Sequence, residues 1–138
     1  MLELIQSINI KIAGYLAIFM VVITMISHGL VILKVIPYTW INGGRSTSYE
    51  DQKKQSMVGM IVLIITIPFL LISSSIITIN INNIWFIIIS AVLWILVLML
   101  IISIIMQFLG TNFERYVMSI VAFTLLVCVL RIALQTIP

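Results

Sequence analysis

Charge is what this chain has least of. Asp, Glu, Lys and Arg make up 8% of its 138 residues, against about 25% in an ordinary soluble domain. Apolar residues reach 63%, and the mean hydropathy is +1.33. A soluble fold of this length has too little interior to hide that much apolar surface. The remaining solvent is lipid, so the composition reads as an integral membrane protein.

Other scarcities exclude chemistry. A single cysteine, Cys128, rules out an intrachain disulfide and any thiol-pair redox reaction. A single histidine, His28, leaves no set of ligands for a metal or haem, and no cofactor is expected. None of the four acids lies inside an apolar run, whereas a small proton-coupled exporter needs a membrane carboxylate. No P-loop, HExxH, CxxC or Ser-His-Asp set is present. Glu50 and Asp51 sit at a helix start, where cap and dipole account for them. An enzyme is therefore the least supported reading, and no nucleic-acid partner is expected.

What is there is four apolar runs, at about residues 12–33, 57–79, 84–106 and 116–134. Each is close to the ~20 residues that a hydrocarbon core requires. The first is too long for a signal-peptide core of about 7–15 residues and lacks a cleavage site, so it reads as a retained anchor. Before it, Leu2, Ile5 and Ile8 share one side of a short amphipathic turn suited to the interface. Pro68 and the serines Ser73, Ser74 and Ser75 predict a bend in the second span. The short uncharged connection at 80–83 predicts a tight antiparallel hairpin of the second and third spans, and Gly110 a stop for the third. The expected fold is all-α, a single-domain four-helix transmembrane bundle with both termini on the same side. Lys34, Arg45, Lys53, Lys54 and Arg115 lie at one end and only Lys11 and Arg131 at the other. The positive-inside tendency therefore puts loops 34–56 and 107–115 in the cytoplasm and the termini outside.

Residues 28–54 gather the only histidine, four of the seven basic residues and one tryptophan. Thr24, Ser27, His28 and Val31 fall at helical spacing, which makes a polar stripe meant for other helices. Pro37 should end the first helix. Tyr38 and Trp40 suit the headgroup layer. Asn42-Gly43-Gly44 signals a turn with positive φ, and Ser48 an N-cap for a second helix starting near Tyr49. On the fourth span Thr124, Cys128, Arg131 and Gln135 share a face. Arg131 is placed to hold an anion, to snorkel, or to pair with Glu3. A bridge between Glu114 and Arg45 would tie loop three to loop one.

The Trp40–Arg45 stretch, W-I-N-G-G-R, follows Pro37 and precedes Tyr49-Glu50. It resembles small uncharacterised bacterial four-span membrane proteins that carry a proline, a tryptophan and Gly-Gly-Arg in their first loop. An ending like Val129-Leu130-Arg131-Ile132-Ala133-Leu134 also occurs in them. The resemblance implies an architecture in a bacterial inner membrane and no particular activity. The leading functional expectation is a non-enzymatic protein that binds membrane lipid or another amphipathic ligand. Its pocket would lie between spans one, two and four. Ser27 and His28 would form a polar wall, Trp40 a lid, Asn42, Gly43 and Gly44 a close backbone approach, and Arg45 or Arg131 an anion contact. The alternatives are an accessory or homo-oligomer-forming subunit, with the polar stripes as helix–helix glue, and a small oligomeric transporter or channel.

Overall fold

The computed structural model describes residues 2–80 and 82–135. Position 81 in the expected hairpin connection, residues 1 and 136–138, and the side chain of Leu2 in the amphipathic turn lie outside the described residues. The described chain is helical, without a strand. A short α1 (Leu2–Gln6) precedes four long helices: α2 (Ile10–Ile32), α3 (Tyr49–Ser73), α4 (Asn83–Phe108) and α5 (Ser119–Leu134). A π turn, Glu114–Met118, leads into α5. With that turn included, four helices are long and apolar enough to cross a membrane. This is the expected all-α, four-span architecture.

The helix boundaries follow from caps rather than from where apolarity runs out. Asn9 accepts the Lys11 and Ile12 N–H groups at the start of α2. Ser48 accepts Asp51 N–H at the start of α3, as the sequence indicates, and Asn82 accepts Trp85 N–H at the start of α4. At the other end α2 stops before Pro37. Lys34 takes a left-handed φ of 59°, and Val35 N–H and Lys34 N–H bond to the Leu30 and Val31 carbonyls. The same paired closure, with Ser75 at φ 57°, stops α3 at Ser73 although the apolar run continues to 79. Helix α3 runs unbroken through Pro68.

That early stop changes the topology. The second and third spans are joined by a connection running from 74 to 82, not by the short link at 80–83, and they do not form a tight hairpin. Helix α5 is the most enclosed, with 44% of its apolar window buried against 17% to 22% for the others. It packs on α2 and α4, α3 packs on the other side of α2, and α3 and α4 meet only sparsely. The reason lies in side-chain size. On α2 the buried face is Ala13, Gly14, Ala17 and Val21, and small residues let helix axes approach where lipid supplies no hydrophobic drive. On α4 a single stripe, Ile89, Leu93, Val97 and Leu100, faces the core. The seam between α3 and α4 is left open.

The segment ahead of α2 meets the last turns of α5, where Arg131 Nε donates to the Ile8 carbonyl at 2.7 Å and Nη1 to Gln135 Oε1 at 3.3 Å. These bonds, rather than one to Glu3, engage the guanidinium. At the same end α2 crosses α3 so closely that a Cβ on Gly14 would overlap the Ser74 side chain. Gly29 has nothing near it. Gly14→Val should therefore lower stability by about 1–3 kcal/mol, while Gly29→Ala stays neutral or better. Thermal unfolding of both variants in detergent checks this; equal effects would contradict the close crossing.

Candidate functional site

At the opposite end of the bundle the two longer loops fold onto each other. Loop one leaves α2 through Lys34, whose Nζ sits 4.4 Å over the Tyr49 ring; the Tyr49 hydroxyl in turn donates to the Ile32 carbonyl. Two single helical turns, Tyr38–Trp40 and Asn42–Gly44, carry the chain back. Asn42, Gly43 and Gly44 all have left-handed φ, at 56°, 69° and 64°. Asparagine tolerates that region and glycine enters it freely, so the N-G-G triplet is the local reason the loop doubles back. A Cβ on Gly44 would also press on the Thr39 carbonyl at 3.0 Å.

A string of buried polar groups then pins this loop to α3. Ser46 Oγ donates to Gln52 Oε1 at 2.6 Å, and Gln52 Nε2 donates to Ser56 Oγ at 3.1 Å. Gln52 and Ser56 are fully buried, so these bonds satisfy groups that would otherwise be costly to enclose. One turn further on, Gly59 makes room for His28: a Cβ there would stand 3.2 Å from the imidazole Nε2. His28 Nδ1 is buried without a partner. Ser27 points elsewhere, to the Ile23 carbonyl and the Met118 thioether of the π turn.

The tie between loops is Glu114. Thr111 and Glu114 form a capping box, with Glu114 N–H on Thr111 Oγ1 at 3.3 Å and Thr111 N–H on Glu114 Oε2 at 3.2 Å. The same Oε2 accepts Gly43 N–H at 2.8 Å. Thr111 Oγ1 lies 2.5 Å from the Trp40 carbonyl, and the Trp40 ring tilts against Phe113 at 5.6 Å. Helix α4 ends at Phe108 with Leu109 as its C-cap, and Gly110 just beyond does not take the left-handed φ of a glycine stop; its role is spatial, since a Cβ there would collide with the Glu114 carboxylate. The loops are thus joined by a carboxylate and a backbone N–H. The Arg45 guanidinium, expected as the partner, lies against the Met106 thioether at 4.0 Å instead.

Beside this clamp is a cavity of about 340 Å³ lined by Asn42, Gly43, Arg45, Gln55, Ser103, Met106, Gln107 and Glu114. Asn42 Nδ2 donates to Gln55 Oε1 at 3.0 Å across its mouth, and Gln107 Nε2 donates to Ser103 Oγ at 3.1 Å. Its size is at the lower end of small-molecule sites, and its walls mix a cation, a carboxylate and carboxamides. It lies at the loop end of the α3–α4 seam, not between spans one, two and four. Deeper in the same seam Val62, Ile65, Thr66 and Phe69 of α3 face Val92, Ile95, Leu96 and Met99 of α4 across a second, almost wholly apolar cavity of about 180 Å³.

Of the residues singled out from sequence, Asn42, Gly43 and Arg45 line the polar cavity. Trp40 and Gly44 brace the loop beside it, while Ser27 and His28 face two different neighbours of α2. Arg131 belongs to the far end; about 30 Å of helix separates its acceptor, Ile8, from His28. Sequence reasoning missed Gln55, Ser103, Met106 and Gln107, and it gave Glu114 only a structural role as the partner of Arg45. Only Glu114 had a readable signal, the Thr-x-x-Glu box ahead of an apolar run. Among the described residues no group of His, Cys, Asp and Glu could hold a metal ion. The fold and site together define a four-span helical membrane protein with a polar cavity at one end of an open helix seam. Comparison with protein-family models, curated proteins and solved structures gave no match.

Removing the shared acceptor should loosen both loops. Glu114→Ala strands two part-buried N–H groups and should cost about 1–2 kcal/mol, whereas Glu114→Gln keeps one carbonyl oxygen for both. Hydrogen exchange at the Gly43 and Thr111 amides should accelerate in the first variant and hold in the second. Unchanged exchange in Glu114→Ala would contradict the clamp.

Proposed function

We propose that the protein is a non-enzymatic membrane protein that holds an amphipathic lipid in the α3–α4 seam. The headgroup sits in the polar cavity and an acyl chain lies along the apolar groove. The observation that carries this reading is that the same two helices line both. Gln55 of α3 and Ser103, Met106 and Gln107 of α4 border the polar end. Val62 and Ile65 of α3 and Ile95 and Met99 of α4 border the apolar stretch. Gln55 to Ile65 is about 15 Å of helix, the depth of one leaflet's hydrocarbon. Arg45 supplies a guanidinium that no carboxylate among the described residues engages, suited to a lipid phosphate at the interface.

The basic residues clustered at this end support a cytoplasmic position for loops 34–56 and 107–115, with the termini outside, so the lipid is one of the cytoplasmic leaflet. The loop signature that resembles small bacterial four-span proteins supports an inner-membrane setting. The two other readings draw less support. The hydroxyls of Thr24, Ser27, Thr66 and Thr124 each bond a carbonyl of their own helix, so these stripes do not call for a second copy. An anion path joining His28 and Arg131 has to cross the length of the bundle between them.

Native mass spectrometry of the protein released from mild detergent tests the proposal. The wild type should carry a discrete lipid adduct that drops several-fold in Arg45→Ala and in Leu96→Trp, which fills the groove. His28→Ala and Arg131→Gln should leave it in place. A wild type without adduct, or one indifferent to the groove-filling change, would overturn it.

A further inference from the structure

The acceptors in the polar cavity outnumber what the protein itself satisfies. Glu114 is 6% exposed, yet every hydrogen bond its carboxylate accepts goes to Oε2. Oε1 takes none of them, and Glu114 lines the cavity. Gln107 lines it too, and its carbonyl oxygen Oε1 is buried without a partner, because only the amide nitrogen of that side chain is engaged, with Ser103. Two side chains with acceptor capacity to spare, one of them an acid, thus line one small space. Arg45 stands on the same cavity, its guanidinium bonded to no carboxylate among the described residues. A buried acceptor left without a donor, as Gln107 Oε1 is, costs roughly 1–3 kcal/mol, while Glu114 Oε1 is not enclosed in that way and can take a donor from the cavity.

Resting on the lipid-binding reading, we infer that this site selects a headgroup carrying a primary ammonium next to its phosphate, of the phosphoethanolamine kind. The ammonium donates to Glu114 Oε1 and Gln107 Oε1, and the phosphate meets Arg45. A purely anionic headgroup places a negative charge against Glu114 and offers it no cation. A trimethylammonium headgroup brings the charge but no N–H for either oxygen. Hydrogen bonds between ionised partners are about twice as strong as neutral ones, so the amine is the discriminating group.

Competition in native mass spectrometry tests this, using equimolar phosphatidylethanolamine, phosphatidylglycerol and phosphatidylcholine with identical acyl chains. The wild type should retain phosphatidylethanolamine about tenfold over each of the others. Glu114→Gln preserves both the capping box and the bond to Gly43 while turning the free oxygen into an amide nitrogen. It should bring the three lipids to near-equal retention by lowering the phosphatidylethanolamine share. Gln107→Met, which leaves the clamp untouched, should cut the preference several-fold. Equal retention of the three lipids by the wild type, or a preference that survives Glu114→Gln, overturns the inference while leaving lipid binding in place. Retention of no lipid at all overturns both.

Discussion

A single carboxylate oxygen, Glu114 Oε2, holds together the two loops from which the rest of this end of the bundle is built. It accepts Thr111 N–H as the return half of a capping box and Gly43 N–H from a loop distant in sequence. The arrangement needs three glycines for three different reasons. Gly110 clears the volume that the carboxylate occupies, Gly43 takes a left-handed φ beside its own donated N–H, and Gly44 passes close to the Thr39 carbonyl. Because the bond runs to backbone N–H groups, Arg45 is left available on the cavity side instead of being spent on a salt bridge.

The open seam is the complement of that clamp. Small residues on α2 draw both α3 and α5 against it, and α5 takes up α4 on its other side. Helix α3 turns its polar and small residues, Gln52, Ser56 and Gly59, inward and leaves bulky apolar ones such as Ile61, Ile64 and Ile65 exposed. Nothing in a lipid environment drives two such isoleucine-rich surfaces together, since hydrocarbon solvates them as well as each other. The seam that results ends, at the loop end of the bundle, in polar groups already fixed by the loops. Polar groups fixed in this way are preorganised for the proposed headgroup.

Much of this architecture was legible in the sequence. Run length and apolarity gave four spans, Ser48 gave the start of α3, and Asn42-Gly43-Gly44 gave a left-handed turn. Apolarity carried too far at Ile79, because the chain turns at Ser75 and stays apolar afterwards. The short connection, and with it the tight hairpin, then fell away. At the site, the loop residues Asn42, Gly43 and Arg45 were readable because their types are unusual in so apolar a chain. Gln55, Ser103 and Gln107 were not, since single polar residues near span ends look like interface residues until the fold sets them against each other. His28 and Arg131 drew attention as ionisable groups within spans. Their neighbours, Gly59 and the Ile8 carbonyl, are ordinary packing and backbone partners that no spacing rule points to.

The central claim is that an amphipathic molecule occupies the α3–α4 seam with its headgroup at the loop clamp. Photo-crosslinking with a phosphatidylethanolamine bearing a diazirine in its acyl chain, supplied near one equivalent in detergent, reads this out by mapping the adducts along the chain. The account predicts adducts concentrated on Val62, Ile65, Phe69, Ile95 and Met99. Labelling spread evenly over outward residues such as Phe19 of α2 and Phe123 of α5 would contradict it.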